Sequence, residues 1–284
     1  MEIPFRIVAV FTPRPLAGNQ LCVVPEPTGL DANGMLALAK EIAFSETTFV
    51  TESGGDRYAM RIFTPDRELP FAGHPTIGTA FVLVREGRVR SPATQVVAAG
   101  EIPVEVDLET GMAWMTQLHP EFGPAFEDRE LLARAIGLSV GDLRAGLPAR
   151  TVSTGLPPLI VPIRDLETLR RARIDLPSVA EACERSGGDE LYLFAEHDGG
   201  VTARFFGPTA AILEDPATGS AAGPLGAYLS AYGLAGMPGA VLVSQGEQVG
   251  RPSELHVEVA PDGDSWRIRV GGGVHLVAEG TFHL

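Results

Sequence analysis

Arg61-Ile62-Phe63-Thr64-Pro65, followed by Phe71-Ala72-Gly73-His74-Pro75-Thr76, decides the fold because the pattern recurs. Arg204-Phe205-Phe206-Gly207-Pro208 stands 143 residues after the first motif, and Asp215-Pro216-Ala217-Thr218-Gly219-Ser220 stands 144 after the second. In each copy a strand-like run (Tyr58 to Phe63, Val201 to Phe206) leads through a loop to an apolar segment, Thr76 to Val84 or Thr218 to Tyr232. Both segments are apolar all round, as expected of helices buried on every side. An offset near half of 284 residues implies two similar lobes, each with strands, a loop and a central helix. Chance likeness between two strand–Pro–helix units is the alternative.

Outward from these motifs, Phe5 to Phe11, Leu21 to Val24 and Thr47 to Thr51 carry the alternation or β-branched content of strands. Asp31 is placed to cap a helix reaching about Phe44, with Met35, Leu36, Leu38, Ala39 and Ile42 on one face. Thr64 to Pro70 reads as a charged loop. Val97 to Val106 and Met112 to Leu118 read as a hairpin around Glu109-Thr110-Gly111. Asp128 to Leu138 and Leu166 to Arg173 are helical, and Leu191 to Phe194 is a strand before a turn at Asp198-Gly199-Gly200. The tail supplies separate strands near Ala240 to Ser244, Leu255 to Val259, Trp266 to Val270 and Val274 to Glu279. The lobes are expected at 1–118 and 119–273, with the final strand, 274–284, a candidate to return to the first.

Composition narrows the function. Lys and Arg number 22 against 36 Asp and Glu, a formal charge of −14, so the basic footprint of a nucleic-acid binder is missing. An anionic substrate would need a local positive field. Cys22 and Cys183 show neither metal-ligand nor CxxC spacing, which favours a reducing, cytoplasmic setting without disulfides. No apolar run approaches the length of a membrane span, and Met1 to Phe5 lacks the basic flank of a signal peptide. The histidines show no HxxxH or HxH spacing, and there is no nucleophile elbow, P-loop or dinucleotide loop. Gly271-Gly272-Gly273 precedes a strand. No metal and no organic cofactor are therefore expected.

The chemistry is sought at the two helix starts and at one carboxylate. Pro75 suits a first helical turn, and Thr218 and Ser220 can cap or present hydroxyls. The N–H groups and dipole of a helix start attract an anion. Two such starts facing one cleft would hold a carboxylate; two ordinary capped helices are the plainer possibility. Glu46 lies at a helix-to-strand junction between Phe44 and Phe49, where partial desolvation would raise a carboxyl pKa and suit it to proton transfer. An exposed junction glutamate is the alternative. His74 and Asp215 occupy equivalent points of the half-motifs, as caps or as substrate-orienting groups.

Together, Gly18-Asn19, Ser45-Glu46-Thr47, the run from Arg61 through Glu68-Leu69-Pro70 to Thr76, Glu214 to Ala221, Gln245-Gly246 and Gly250-Arg251-Pro252-Ser253 resemble the PhzF family over nearly the whole chain. The resemblance implies an α+β fold like that of diaminopimelate epimerase, each lobe a curved, mostly antiparallel sheet or open barrel around a central helix. It implies a cofactor-independent isomerase of a small carboxylic acid, similar to trans-2,3-dihydro-3-hydroxyanthranilate isomerase, acting as a homodimer. By resemblance Glu46 is the acid/base, with His74 and Asp215 beside it. Asn19, Ser45, Gly73, Pro75, Thr218, Gly219 and Ser220 are the implied substrate-binding residues. Epimerases of that fold place a cysteine at each helix start; here those positions hold Ala72 and Pro216, so proton shift by one carboxyl group fits better. A non-catalytic binding protein that keeps the same cleft is the alternative of another class.

Overall fold

The computed structural model describes residues 1–98, 100–198, 200–208 and 213–284. Two compact units emerge, Met1–Gln117 with Val270–Leu284, and Leu118–Arg269.

In the first unit the strands are β1 (Glu2–Val10), β2 (Asn19–Val24), β3 (Glu46–Gly54), β4 (Arg57–Phe63), β5 (Glu68–Leu69), β6 (Ala93–Val97), β7 (Gly100–Asp107) and β8 (Met112–Thr116). The helices are α1 (Ala32–Ile42) and α2 (Gly73–Arg85). Strands run in the order β1-β2-β3-β4-β6-β7-β8, and the last strand of the chain pairs with both β8 and β1, closing the ring. Closure removes the exposed edges a flat sheet would carry. Helix α2 is buried from Gly73 to Leu83, touching strands around the ring, as a helix without a polar face must be. Asp31 caps α1 by accepting from the Gly34 N–H at 2.8 Å, and Ala43 ends it in a left-handed conformation at φ 55°. Cys22 and Val24 on β2 pack with Met35, Leu38 and Ala39 of α1, while Leu21 faces α2 beside Gly78. Burial on both faces explains why Leu21 to Val24 is an unbroken apolar run.

In the second unit β9 (Glu121–Phe126), α3 (Arg129–Ala135), β10 (Ala149–Ser153), β11 (Pro158–Pro162), α4 (Leu166–Arg171), α5 (Leu176–Ser186), β12 (Glu190–His197) and β13 (Gly200–Phe206) lead to α6 (Gly219–Ala231). Then follow β14 (Gly239–Gln245), β15 (Ser253–Asp262) and β16 (Ser265–His283). Leu131, Leu169 and Val179 from α3, α4 and α5 pack on Leu159, Leu191 and Leu193 of the sheet. Helix α6 is buried along nearly its whole length and contacts β10, β11 and β15.

The repeat is real in the pairing. From β1 to β7 neighbours alternate antiparallel, parallel, antiparallel, parallel, antiparallel, and β10 to β15 follow the same alternation. The repeated Arg-x-Phe has a structural meaning. Arg61 lies 5.1 Å over the Phe63 ring and forks onto Glu68 at 2.7 and 2.6 Å. Arg204 lies 4.7 Å over Phe206 and forks onto Glu214, both bonds 2.8 Å. Each arginine thus ties its strand to the connection that leads into the central helix.

Several expectations need correction. Val97 to Val106 is not one strand: β6 ends at Val97 and β7 begins at Gly100. Glu68-Leu69 in the charged loop pairs with β4. Strands β9, β10 and β11 were not expected; they are short, and Pro, Gly and Arg dilute their apolar pattern. Trp266 to Val270 and Val274 to Glu279 belong to the single strand β16. Its glycines are where the chain must pass close to neighbours. A Cβ on Gly271 would lie 2.3 Å from the Trp114 ring, and one on Gly273 would lie 2.3 Å from the Thr12 carbonyl oxygen. Gly199, in the turn expected at Asp198 to Gly200, lies outside the described residues.

Candidate active site

In the first unit the parallel pairing of β2 and β3, with Leu21 opposite Glu46, brings the starts of both strands side by side. Asn19 opens β2, Ser45 precedes β3 and Glu46 opens it. Gly73, His74 and Pro75 form the first turn of α2 and are buried. The Ser45 hydroxyl donates to Asn19 Oδ1 at 3.2 Å, and the Asn19 amide nitrogen lies 3.2 Å from His74 Nδ1. On the far side of the ring, His74 Nε2 is 3.3 Å from Glu46 Oε2. The His74 side chain is 4% exposed and that of Glu46 13%, so solvent reaches the carboxylate more than the ring. Burial pushes the His74 pKa down from 6.5 to about 3, against a smaller upward pull from a hydrogen bond with the Gln20 backbone. A neutral imidazole at this position makes the approach to Glu46 a close polar contact rather than an ion pair, and the two facing atoms are not aligned as a hydrogen bond.

In the second unit Asp215, Thr218, Gly219 and Ser220 surround the start of α6. The Thr218 hydroxyl donates to Asp215 Oδ2 at 2.6 Å and does not cap its own helix. Gln245, at the end of β14, holds this turn. Its amide nitrogen donates to the Asp215 carbonyl at 2.8 Å and to Thr218 Oγ1 at 3.0 Å. Its oxygen accepts from the Tyr192 hydroxyl at 2.9 Å and from the Thr218 N–H at 3.3 Å. Burial, with the charge of Asp215 adding, pushes the Tyr192 pKa up, so its hydroxyl is a fixed donor. Gly246 must be glycine: its φ is +80°, and a Cβ there would lie 2.5 Å from the Pro216 carbonyl oxygen.

The two central helices differ from the others at their starts. Asp31, Asp128, Asp165 and Asp175 each cap α1, α3, α4 and α5 through a side-chain bond. Neither Ala72 nor Thr218 does so for α2 or α6. The structure brings Asn19, Ser45, Glu46, Gly73, His74 and Pro75 together in the first unit, and Asp215, Thr218, Gly219 and Ser220 together in the second. Gln245 and Tyr192 were missed as site residues. The available signal was a glutamine ending an apolar strand just before a glycine.

Both cysteines lie in hydrophobic cores, Cys22 among Ile3, Val24 and Met35 and Cys183 among Leu159, Val179 and Leu191, and burial pushes each thiol pKa up to about 12. Neither suits proton transfer near neutrality. Among the described residues no group of three or more His, Cys, Asp or Glu side chains is placed to hold a metal ion. Among the described residues no helix is long and apolar enough to cross a membrane.

Residues 8–280 match the family described as phenazine biosynthesis-like protein, PhzC-PhzF. An uncharacterized isomerase of Deinococcus radiodurans is 37% identical, over 97% of this chain and 93% of that protein. The trans-2,3-dihydro-3-hydroxyanthranilate isomerase of Pseudomonas chlororaphis is 33% identical, over 98% of each chain. The solved structure of a predicted epimerase from Pseudomonas aeruginosa superposes with a TM-score of 0.88 at 36% identity, covering 99% of each chain.

Proposed function

The chain belongs to the PhzC-PhzF family of phenazine biosynthesis-like proteins, and from that premise we propose that it isomerises a small cyclic or unsaturated carboxylic acid, with Glu46 as proton carrier. Its relatives include proteins named as isomerases. The observation that carries the mechanism is the 3.3 Å approach of Glu46 to a buried, neutral His74. In this mechanism the Glu46 carboxylate takes a proton from one substrate carbon. The bonding electrons shift along the conjugated system, and the protonated Glu46 returns the proton to another carbon on the same face. The formula of the substrate is unchanged, and no oxidant or further reactant enters. His74 keeps the carboxyl group in place through both steps. The start of α2, where Ala72 makes no side-chain cap bond, supports the carboxylate-binding part, because helix N–H groups favour an anion. The setting proposed is cytoplasmic and the assembly a homodimer; light scattering that reads a concentration-independent monomer would remove the dimer.

The test begins with trans-2,3-dihydro-3-hydroxyanthranilate and related cyclic hydroxy- and amino-carboxylates, screened by thermal shift and then for turnover in D2O. Wild type is expected to incorporate solvent deuterium at the carbon that receives the proton to the extent that the protonated Glu46 exchanges with solvent before returning it. Glu46→Gln keeps the shape and removes the titrating group. It should still bind, with turnover reduced by at least ~10²–10⁴-fold, the usual worth of general acid/base catalysis. Near wild-type turnover by Glu46→Gln would make Glu46 structural.

A further inference from the structure

Glu46 and His74 explain a proton transfer only if the imidazole presents one particular nitrogen state to the carboxylate. We infer that Asn19 is a positioning residue that fixes the tautomer of His74, rather than a substrate ligand alone. This rests on the acid/base role proposed for Glu46.

Three contacts in series carry the inference. Ser45 Oγ donates to Asn19 Oδ1 at 3.2 Å, with the amide nitrogen toward the ring. Asn19 Nδ2 then lies 3.2 Å from His74 Nδ1. An amide nitrogen can only donate, so Nδ1 must present its lone pair, and in a neutral ring the proton then resides on Nε2. Nε2 is the nitrogen 3.3 Å from Glu46 Oε2. The relay therefore turns the protonated nitrogen toward the Glu46 carboxylate, close to it but not aligned as a hydrogen bond in this structure. Asn19 and His74 are both nearly inaccessible, at 2% and 3% exposure, so water does not readily substitute for either partner. The fold explains the spacing: Asn19 opens β2 and Glu46 opens the parallel β3, with the first turn of α2 supplying the ring. A second-sphere partner that selects a histidine tautomer is a general device, since each ring nitrogen is set by the hydrogen bond of the other.

The experiment reads the tautomer directly in the ligand-free protein with 15N-labelled histidine, using two-bond 15N–1H correlations and assigning His74 from its loss in His74→Gln. The expected wild-type spectrum has a pyridine-like Nδ1 and a pyrrole-like Nε2. Asn19→Asp replaces the donor by an acceptor of the same shape and should invert the assignment, moving the proton to Nδ1. With a working substrate, Asn19→Asp should lower kcat by a larger factor than it changes KM, whereas loss of a substrate ligand would raise KM. A wild-type ring protonated on Nδ1, or an unchanged tautomer in Asn19→Asp, would overturn the inference. Should Asn19→Asp not fold, the wild-type spectrum and that of Ser45→Ala, expected to show both tautomers, decide it; a wild-type-like single tautomer in Ser45→Ala would count against the relay. Because no substrate enters the tautomer measurement, its outcome is separate from the turnover of Glu46→Gln.

Discussion

At the scale of single residues, the unusual group is His74, a histidine kept neutral by burial. Its folded-state pKa, about 3, lies below the ordinary 6.5. As pH falls from 6.5, the unfolded chain takes up the proton first, so the unfolded state is favoured. The stability is complete above about pH 6.5, declines as pH drops toward 3, and loses nothing further from this group below that. Over that window the one extra proton is worth up to about 1.4 kcal/mol per pH unit. Denaturant unfolding at several pH values should show a shallower acid slope for His74→Gln than for the parent. Both proteins should carry Glu46→Gln, so that the neighbouring carboxyl does not titrate. Identical slopes would mean that the folded protein admits a charged ring. Glu46 was legible in the sequence as a junction carboxylate between aromatic residues. The depth of His74 and its contact with Asn19 were not, because they depend on a pairing between strands and helix that are 55 residues apart.

At the scale of elements, the central helices and their entry turns were legible because apolar character all round and the repeated Arg-x-Phe need no tertiary information. The short strands β9 to β11 were not, since their edges and prolines weaken the period-two pattern on which such an inference depends. Gln245 shows the same limit: it reads as the polar end of a strand, but its four hydrogen bonds to Tyr192, Asp215 and Thr218 hold the turn before α6. Gly246 makes that contact possible. A comparison of two left-handed glycines isolates the effect. Gly250 has φ +72° and open space where a Cβ would go, while Gly246 at φ +80° meets backbone oxygens of Arg251 at 2.3 Å and Pro216 at 2.5 Å. Gly250→Ala should cost about 1 kcal/mol, the conformational price alone. Gly246→Ala should cost distinctly more, because backbone must also move. Midpoints of denaturant unfolding at unchanged slope measure both, and equal costs would show that the Pro216 turn yields freely.

At the scale of the whole molecule, the chain's last strand does two jobs. Ser265 to Arg269 belong to the second unit, and Val270 onward to the first. Val274 to His283 pair with β1 from Val10 back to Glu2, and the Phe282 ring stacks on Phe5 at 4.3 Å. Without these residues the ring of the first unit would be open, with β1 left as an edge. The sequence shows a strand here but not its partner, because alternation fixes which face is buried and says nothing about which neighbour supplies the ladder. The glycines at 271 and 273 mark where that strand must slip past Trp114 and Thr12. Ending the chain after Gly272 removes the closing strand and leaves Ser265 to Arg269 in place. Amide hydrogen exchange followed by mass spectrometry should then report lost protection in β1, where Arg6 to Val10 retain only β2 as a neighbour. Protection in β12 and β13, which pair with each other and with β11 and β14, should persist. If β1 stays as protected as in the full chain, ring closure by β16 is dispensable to the first unit. If instead β12 and β13 lose protection together with β1, the two units unfold as one cooperative body and the closing strand supports more than its own ring.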